Sequence, residues 1–102
     1  MKPKNIFSNI PEFLAEELIE HIAGSSNCKV ERIVSKGHVT QKNKWYDQDK
    51  NEFVLIIKGN AEIRFENDSV KMKEGDYVII PARCKHRVEK TSKETIWLAV
   101  FY

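Results

Sequence analysis

From Lys29 onward the chain is a succession of short β runs cut by turn residues, a pattern that leaves little room for any fold but an all-β one. The runs are 29–34, 37–40, 52–58, 61–66, 70–72, 77–80, 86–90 and 95–102. Ala61, Ile63 and Phe65 alternate with Glu62, Arg64 and Glu66, so that run buries one face and wets the other. Asn67-Asp68 reads as a hairpin turn into Val70 and Met72. Lys73-Glu74-Gly75-Asp76 is a second turn, in which Gly75 is free to take a positive φ. Pro81 ends the next run because it cannot donate to a ladder. A sheet of this kind loses its vulnerable edges by closing on itself, and its inward side chains then fill or line the interior.

Ahead of these runs the spacing predicts one helix, over residues 11–23. Asn9 and Glu12 stand three apart as a capping box, Pro11 suits a first turn, and Gly24 can take the left-handed cap. Leu14, Leu18 and Ile22 recur at helical spacing with Phe13 beside them, giving an apolar stripe to lie against the barrel or a partner subunit. His21, near the end of that helix, complements its dipole rather than ligating anything. With 102 residues, 41% hydrophobic and 31% charged, the chain can form one modest core. The expectation is a single domain over 1–102, with an arm and helix over 1–24 and a barrel over 25–102.

The charge balance excludes some partners. A net charge of +2 is mild, and the basic residues are interleaved with Asp and Glu, so nucleic acid is not expected. No run of about 18 apolar residues occurs, and Met1-Lys2-Pro3-Lys4-Asn5 lacks the apolar region of a secretory signal; no membrane is expected, and the compartment is read as cytoplasmic. Cys28 and Cys84 make no disulfide framework and read as reduced thiols. The last run, Thr95 to Phe101, is hydrophobic on both faces; a small barrel has one interior, so the outer face needs a cover, and a homodimer supplies it.

Two glycine-anchored segments join a strand-like apolar run to a polar group: Asn51-Glu52-Phe53-Val54-Leu55-Ile56-Ile57-Lys58-Gly59, and Gly75-Asp76-Tyr77-Val78-Ile79-Ile80-Pro81-Ala82-Arg83-Cys84-Lys85-His86. The first resembles the first motif of the cupin family, which runs His-any-His, three or four residues, Glu, six residues, Gly; Glu52 and Gly59 have that final spacing. The second resembles the second cupin motif, in which Gly is followed after five residues by Pro, then one residue, Gly, two residues, His, three residues and Asn. Gly75, Pro81 and His86 fall in place. The resemblance implies a cupin-like double-stranded β-helix, or jelly-roll, barrel with one interior site. The departures bear on chemistry. Tyr46 and Gln48 stand at one allowed spacing of the usual histidine pair and Trp45 and Asp47 at the other, while Arg83 replaces the second-motif Gly and Lys90 the Asn, so one of three usual histidine ligands remains.

In an unbulged strand Tyr46, Gln48 and Glu52 share a face and Trp45 and Asp47 take the other; a bulge at Asp49-Lys50-Asn51 would bring Asp47 across. Cys84 and His86 share a face too. The candidate ligand-binding set is Trp45, Tyr46, Gln48, Glu52 and His86, with Trp45 and Tyr46 offering apolar area and a polar tip at the barrel mouth. The candidate metal donors are Asp47, Gln48, Glu52 and His86. One carboxylate and one imidazole can bind Zn, Mn, Fe or Ni, although a site normally takes three protein ligands. Without metal the same pair can work as an acid and a base. Two readings stay open: a divalent-metal-dependent enzyme acting on a small polar substrate, and a non-catalytic ligand sensor or binding module without metal. His38 has no partner at ligand spacing.

Overall fold

The computed structural model describes all of residues 1–102. Eight strands follow in order: β1 Leu18–Ser25, β2 Cys28–Ser35, β3 Glu52–Lys58, β4 Asn60–Phe65, β5 Ser69–Lys73, β6 Tyr77–Ile80, β7 His86–Thr91 and β8 Thr95–Phe101. They form two antiparallel sheets, one of five strands in the order β1-β2-β8-β3-β6 and one of three in the order β5-β4-β7. The result is the all-β jelly-roll. No helix is long and apolar enough to cross a membrane.

Strand parity explains what lies between the sheets. On β3 the buried positions are Glu52, Val54 and Ile56, and the register sets Val54 against Ala99 and Ile56 against Trp97, so these four side chains share the inner face. The three-stranded sheet answers with Ala61 and Ile63 from β4 and Met72 from β5, which alternate with the wet Glu62 and Arg64 as expected. The interior is apolar in its middle and polar at the end where β3 and β7 begin.

The two motif glycines are demanded by the backbone. Gly59 sits at φ 84°, and a Cβ there would lie 2.3 Å from Ser92 Oγ and 2.6 Å from the Glu94 carbonyl, so no larger residue fits the β3–β4 connection. Gly75, at φ 87°, is needed for its left-handed turn alone, since nothing crowds its missing Cβ.

The helix expected over 11–23 does not form. Leu18–Ser25 is instead β1, which pairs with β2 from Leu18↔Val34 to Ser25↔Cys28, and Gly24 lies within that hairpin rather than capping a helix. The ladder offered by the free edge of β2 outweighs a weak local preference, as tertiary pairing often does. Asn9, expected as a helix cap, takes a left-handed φ of 58° in an arm of turns and bends. Phe13 and Ile22 stay exposed rather than forming a stripe. The run expected over Gly37–Thr40 is not a strand either; it is held by single bonds, Gly37 N to Ser92 O and Thr40 N to Val88 O, both 3.0 Å.

Arg32 ties the arm down. Its side chain is 7% exposed on the outer face of β2; Nη1 donates to the carbonyls of Ile6 at 2.9 Å and Ser8 at 2.6 Å, while Nε donates to Glu20 Oε1 at 2.6 Å. His38 and Lys36 hold the next turn of the arm, His38 Nε2 donating to Leu14 O at 3.0 Å and Lys36 Nζ to Glu12 O at 2.9 Å. His38 is thus a structural clamp. Arg32→Ala strands two carbonyls and removes charge-assisted bonds, so the midpoint of urea unfolding should fall by an amount equivalent to about 2–4 kcal/mol. Arg32→Lys should recover only part of it, because an ammonium cannot reproduce the guanidinium fork.

Candidate functional site

The polar end of the barrel is assembled by a backbone bridge. Tyr46 and His86 pair as an isolated antiparallel β-bridge, Tyr46 N donating to His86 O at 2.8 Å and His86 N to Tyr46 O at 3.1 Å. This brings the 41–51 segment against the start of β7, where Glu52 of the five-stranded sheet and His86 of the three-stranded one meet. Arg83 N donating to Gln48 O and Ala82 N to Asn51 Oδ1 at 3.0 Å continue the seam.

Within that seam Glu52 and His86 are 7% and 5% exposed. Glu52 Oε1 lies 3.5 Å from His86 Nε2, an ion-pair contact longer than a good hydrogen bond, and accepts from Gln48 Nε2 at 3.1 Å. His86 Nδ1 donates to the Cys84 carbonyl at 2.9 Å, which directs Nε2 toward the carboxylate. The imidazole lies beside two rings, Tyr46 at 5.6 Å and Phe65 at 6.2 Å between centroids. Burial opposes the charged imidazole, but bonding to Glu52 and to the Cys84 carbonyl and the charge of Glu52 outweigh it, so the pKa of His86 is raised above the ordinary value. Tyr46 is also raised, by burial and by the charges of Glu17 and Glu52 against the Thr40 hydroxyl, and so keeps its phenolic proton.

Tyr46, Gln48, Glu52 and His86 therefore meet in one place, with Cys84 packed against the apolar core behind them. Trp45 and Asp47 go elsewhere, as their parity requires. Trp45 lies with its ring 5.8 Å from the guanidinium of Arg87, which also donates to Lys44 O and Thr40 O and so pins this part of the loop. Asp47 pairs with Arg83, Oδ1 being 3.1 Å from Nε. Arg83 holds a left-handed φ of 65°, the conformation that explains why the related motif places glycine there.

Glu17 was not among the sequence candidates. It precedes β1, and its Oε2 accepts from Ser35 Oγ at 3.4 Å on the inner side of β2. Burial raises its pKa; the Ser35 bond and His38 lower it, and Glu52 raises it further. Its only sequence signal was its placement one residue before a strand mistaken for a helix.

The donor set does not fit a resident metal. No three His, Cys, Asp or Glu side chains cluster. Beyond Glu52 and His86 the position offers a phenol and an amide, and Gln48 turns its donating Nε2, not a lone pair, toward the centre.

A two-sheet jelly-roll with a carboxylate and an imidazole facing each other inside one end defines a small barrel protein with an interior polar site. The chain belongs to the cupin domain family, whose sequence model matches residues 31–101. A protein of Ralstonia eutropha JMP134, described as a candidate mannose-6-phosphate isomerase, is similar at 34% identity with a TM-score of 0.94, the match covering 99% of this chain and 97% of that one. A cupin superfamily protein of Desulfitobacterium hafniense DCB-2 shares the fold with a TM-score of 0.77 at 17% identity, covering 90% and 82% of the two chains. An uncharacterized protein of Aquifex aeolicus (strain VF5) is 37% identical over 56 residues, 55% of this chain; the match takes in 46% of that curated relative, about half its length.

The raised value of His86 has a sign. A group whose folded pKa exceeds its unfolded one adds stability that is fully present below the ordinary value of 6.5 and is lost as pH rises through the folded value. Unfolding midpoints measured from pH 5.5 to 8.5 should therefore decline across neutrality in the native chain, and His86→Gln should flatten that component.

Proposed function

We propose that the barrel binds a small polar molecule at the Tyr46, Gln48, Glu52 and His86 cluster, and that it does so without a resident metal. The observation that carries this reading is the closed contact of Glu52 with His86 and Gln48: each group answers another's charge or hydrogen-bonding need, which a buried polar cluster requires when no cation is present. Both residues are almost fully enclosed, with Tyr46 as the half-exposed group on the way in. A ligand entering past that ring would meet a proton donor on Tyr46, an amide on Gln48, and a carboxylate–imidazole pair that can hold or move a proton. Two surface grooves, of about 710 and 360 Å³, include neither Glu52 nor His86 and play no part in this reading.

A second reading is a divalent-metal-dependent enzyme. Its enzymatic part is supported by the 34% identity, over almost the whole chain, to the Ralstonia protein described as a candidate mannose-6-phosphate isomerase. The two readings separate in one titration series: sugars, small carboxylates and phenols, followed by intrinsic fluorescence, with chelator and with added Zn, Mn, Fe or Ni. On the metal-free reading binding persists in chelator, and Glu52→Gln and His86→Gln abolish it while the far-UV circular dichroism of a folded barrel is retained. Binding that appears only with metal would favour the enzyme; variants that unfold would make the pair structural.

We also propose that the chain works as a homodimer. The outer face of β3, β6 and β8 carries Phe53, Leu55, Tyr77, Ile79, Leu98 and Val100, and the register places them side by side. Tyr77 and Ile79 are 59% and 57% exposed, whereas Val34 and Ile96 on the same face are fully covered at the arm end. A second copy covers what the arm does not reach. Light scattering at tens of micromolar should give twice the chain mass, and Ile79→Lys should give a monomer; a native chain that stays monomeric would refute the proposal.

A further inference from the structure

Beside Glu52 the inner face of the five-stranded sheet runs on across β8 and β2. The register sets Glu52 against Phe101 and Phe101 against Lys29, so these three side chains form one row on that face. The row does not fray, because Asn51 and Tyr102 exchange two backbone bonds, at 2.8 and 3.0 Å, just beyond the Glu52–Phe101 pair. Lys29 leans along it, with Nζ 5.0 Å from the centre of the Phe101 ring. Glu31, two residues on and so on the same face, places Oε2 3.5 Å from that Nζ, an ion-pair contact longer than a good hydrogen bond. The ammonium makes no hydrogen bond within the protein, and the Lys29 side chain is 53% exposed. Its three donors are therefore open to a ligand at the rim of the site.

We propose that Lys29 is a ligand-contacting residue of the barrel site, and that it selects a small hydroxylated acid, holding the carboxylate or phosphate at the rim while the hydroxyl end reaches Glu52 and His86. This rests on the reading that the Tyr46, Gln48, Glu52 and His86 cluster is a ligand site. The orientation follows from charge. Glu52 is enclosed and already answered by His86 and Gln48, so a ligand anion at that depth would lose its hydration beside a carboxylate, whereas hydroxyls can donate to it. At the half-exposed Lys29 an anion keeps part of its water and gains a charge-assisted bond. The backbones of Lys29 and Glu52 stand two strand spacings apart, roughly 9.5 Å, which suits a skeleton of about three to six carbons. Phe101, between them, offers that skeleton a flat apolar face. Glu31 opposes the ligand anion, so affinity is a contest between two negative groups for one ammonium.

The test is amide chemical-shift titration of the full chain with D-glycerate, D-gluconate and D-mannose 6-phosphate against the neutral counterparts glycerol, D-glucose and D-mannose. Wild type is compared with Lys29→Met, Lys29→Arg, Glu31→Gln and, as a control, Lys71→Met at an exposed position of β5. The acids should move the amides of residues 29–31, 46–52, 84–86 and 99–101 and bind more tightly than the neutral compounds, and the stronger of the carboxylate and phosphate arms names the anion. Lys29→Met, which keeps an apolar stem over the ring, should weaken the acids by about fivefold or more, the loss of one charge-assisted bond at a half-exposed position, and leave the neutral compounds and the Lys71→Met control unchanged. Lys29→Arg should hold the acids near wild-type affinity. Glu31→Gln, which removes the competing charge, should strengthen them; a purely structural Lys29–Glu31 pair would not produce this gain, and it decides the matter if Lys29→Met does not fold. Residues 46–52 responding to the acids with undiminished affinity in Lys29→Met, or responding more strongly to the neutral compounds in the wild type, would overturn the role of Lys29 while leaving the site in place. Silence of residues 46–52 and 84–86 toward every compound would overturn the ligand site itself, and this inference with it.

Discussion

Tyr46 and His86 are forty residues apart in the chain, and the two backbone bonds between them decide what the polar end of the barrel can be. Without that bridge the 41–51 segment would be a charged surface loop and Glu52 would open toward water. With it, the imidazole is laid between two aromatic rings, its Nδ1 is occupied by a main-chain carbonyl, and its Nε2 has no direction left but the carboxylate. A backbone constraint thus sets side-chain chemistry: the tautomer of His86, the enclosure of Glu52 and the orientation of Gln48 all follow from one short pairing.

The supports of this seam are spread over the outer surface. Arg87 holds the carbonyls of Thr40 and Lys44 and lies under Trp45, and Arg83 reaches Asp47 from a backbone conformation that costs a non-glycine residue of order 1 kcal/mol. The exposed Arg83–Asp47 pair is itself worth little in stability. Its value is geometric, since it holds residues 46–48 against the turn that leads into His86. At the other end of the chain Arg32 does comparable work in a drier place, fixing an arm whose Phe7 and Phe13 stay exposed as a cover that ends at the Glu17–Ser35 bond.

Much of this was legible beforehand. The β runs at 52–58, 61–66, 70–72, 77–80, 86–90 and 95–102 correspond to real strands because each carries its own local evidence: alternation, a turn residue at its end, or a proline stop. Gly59 and Gly75 mark turns for steric reasons that any chain must obey. Strand parity pointed to Tyr46, Gln48 and Glu52 as one group, while Trp45 and Asp47 also stood among the candidates until their contacts with Arg87 and Arg83 set them apart. The N-terminal helix failed because its evidence was also local, a cap and a stripe, whereas the deciding term was a ladder with β2, whose own partner lies at the far end of the chain.

The amino-acid sequence by itself determined an all-β chain with a carboxylate and an imidazole carried on two glycine-anchored strands, because periodicity, turn stereochemistry and residue type act over a few neighbours. Tertiary structure alone decided that residues 18–25 are a strand, that His38 is a clamp, and that Glu17 bonds Ser35. The contacts of His38 and Glu17 reach partners more than a dozen residues away, and the strand at 18–25 depends on a β2 edge that β8 anchors from the far end of the chain; no local pattern encodes which edge or carbonyl a folded chain will bring within reach.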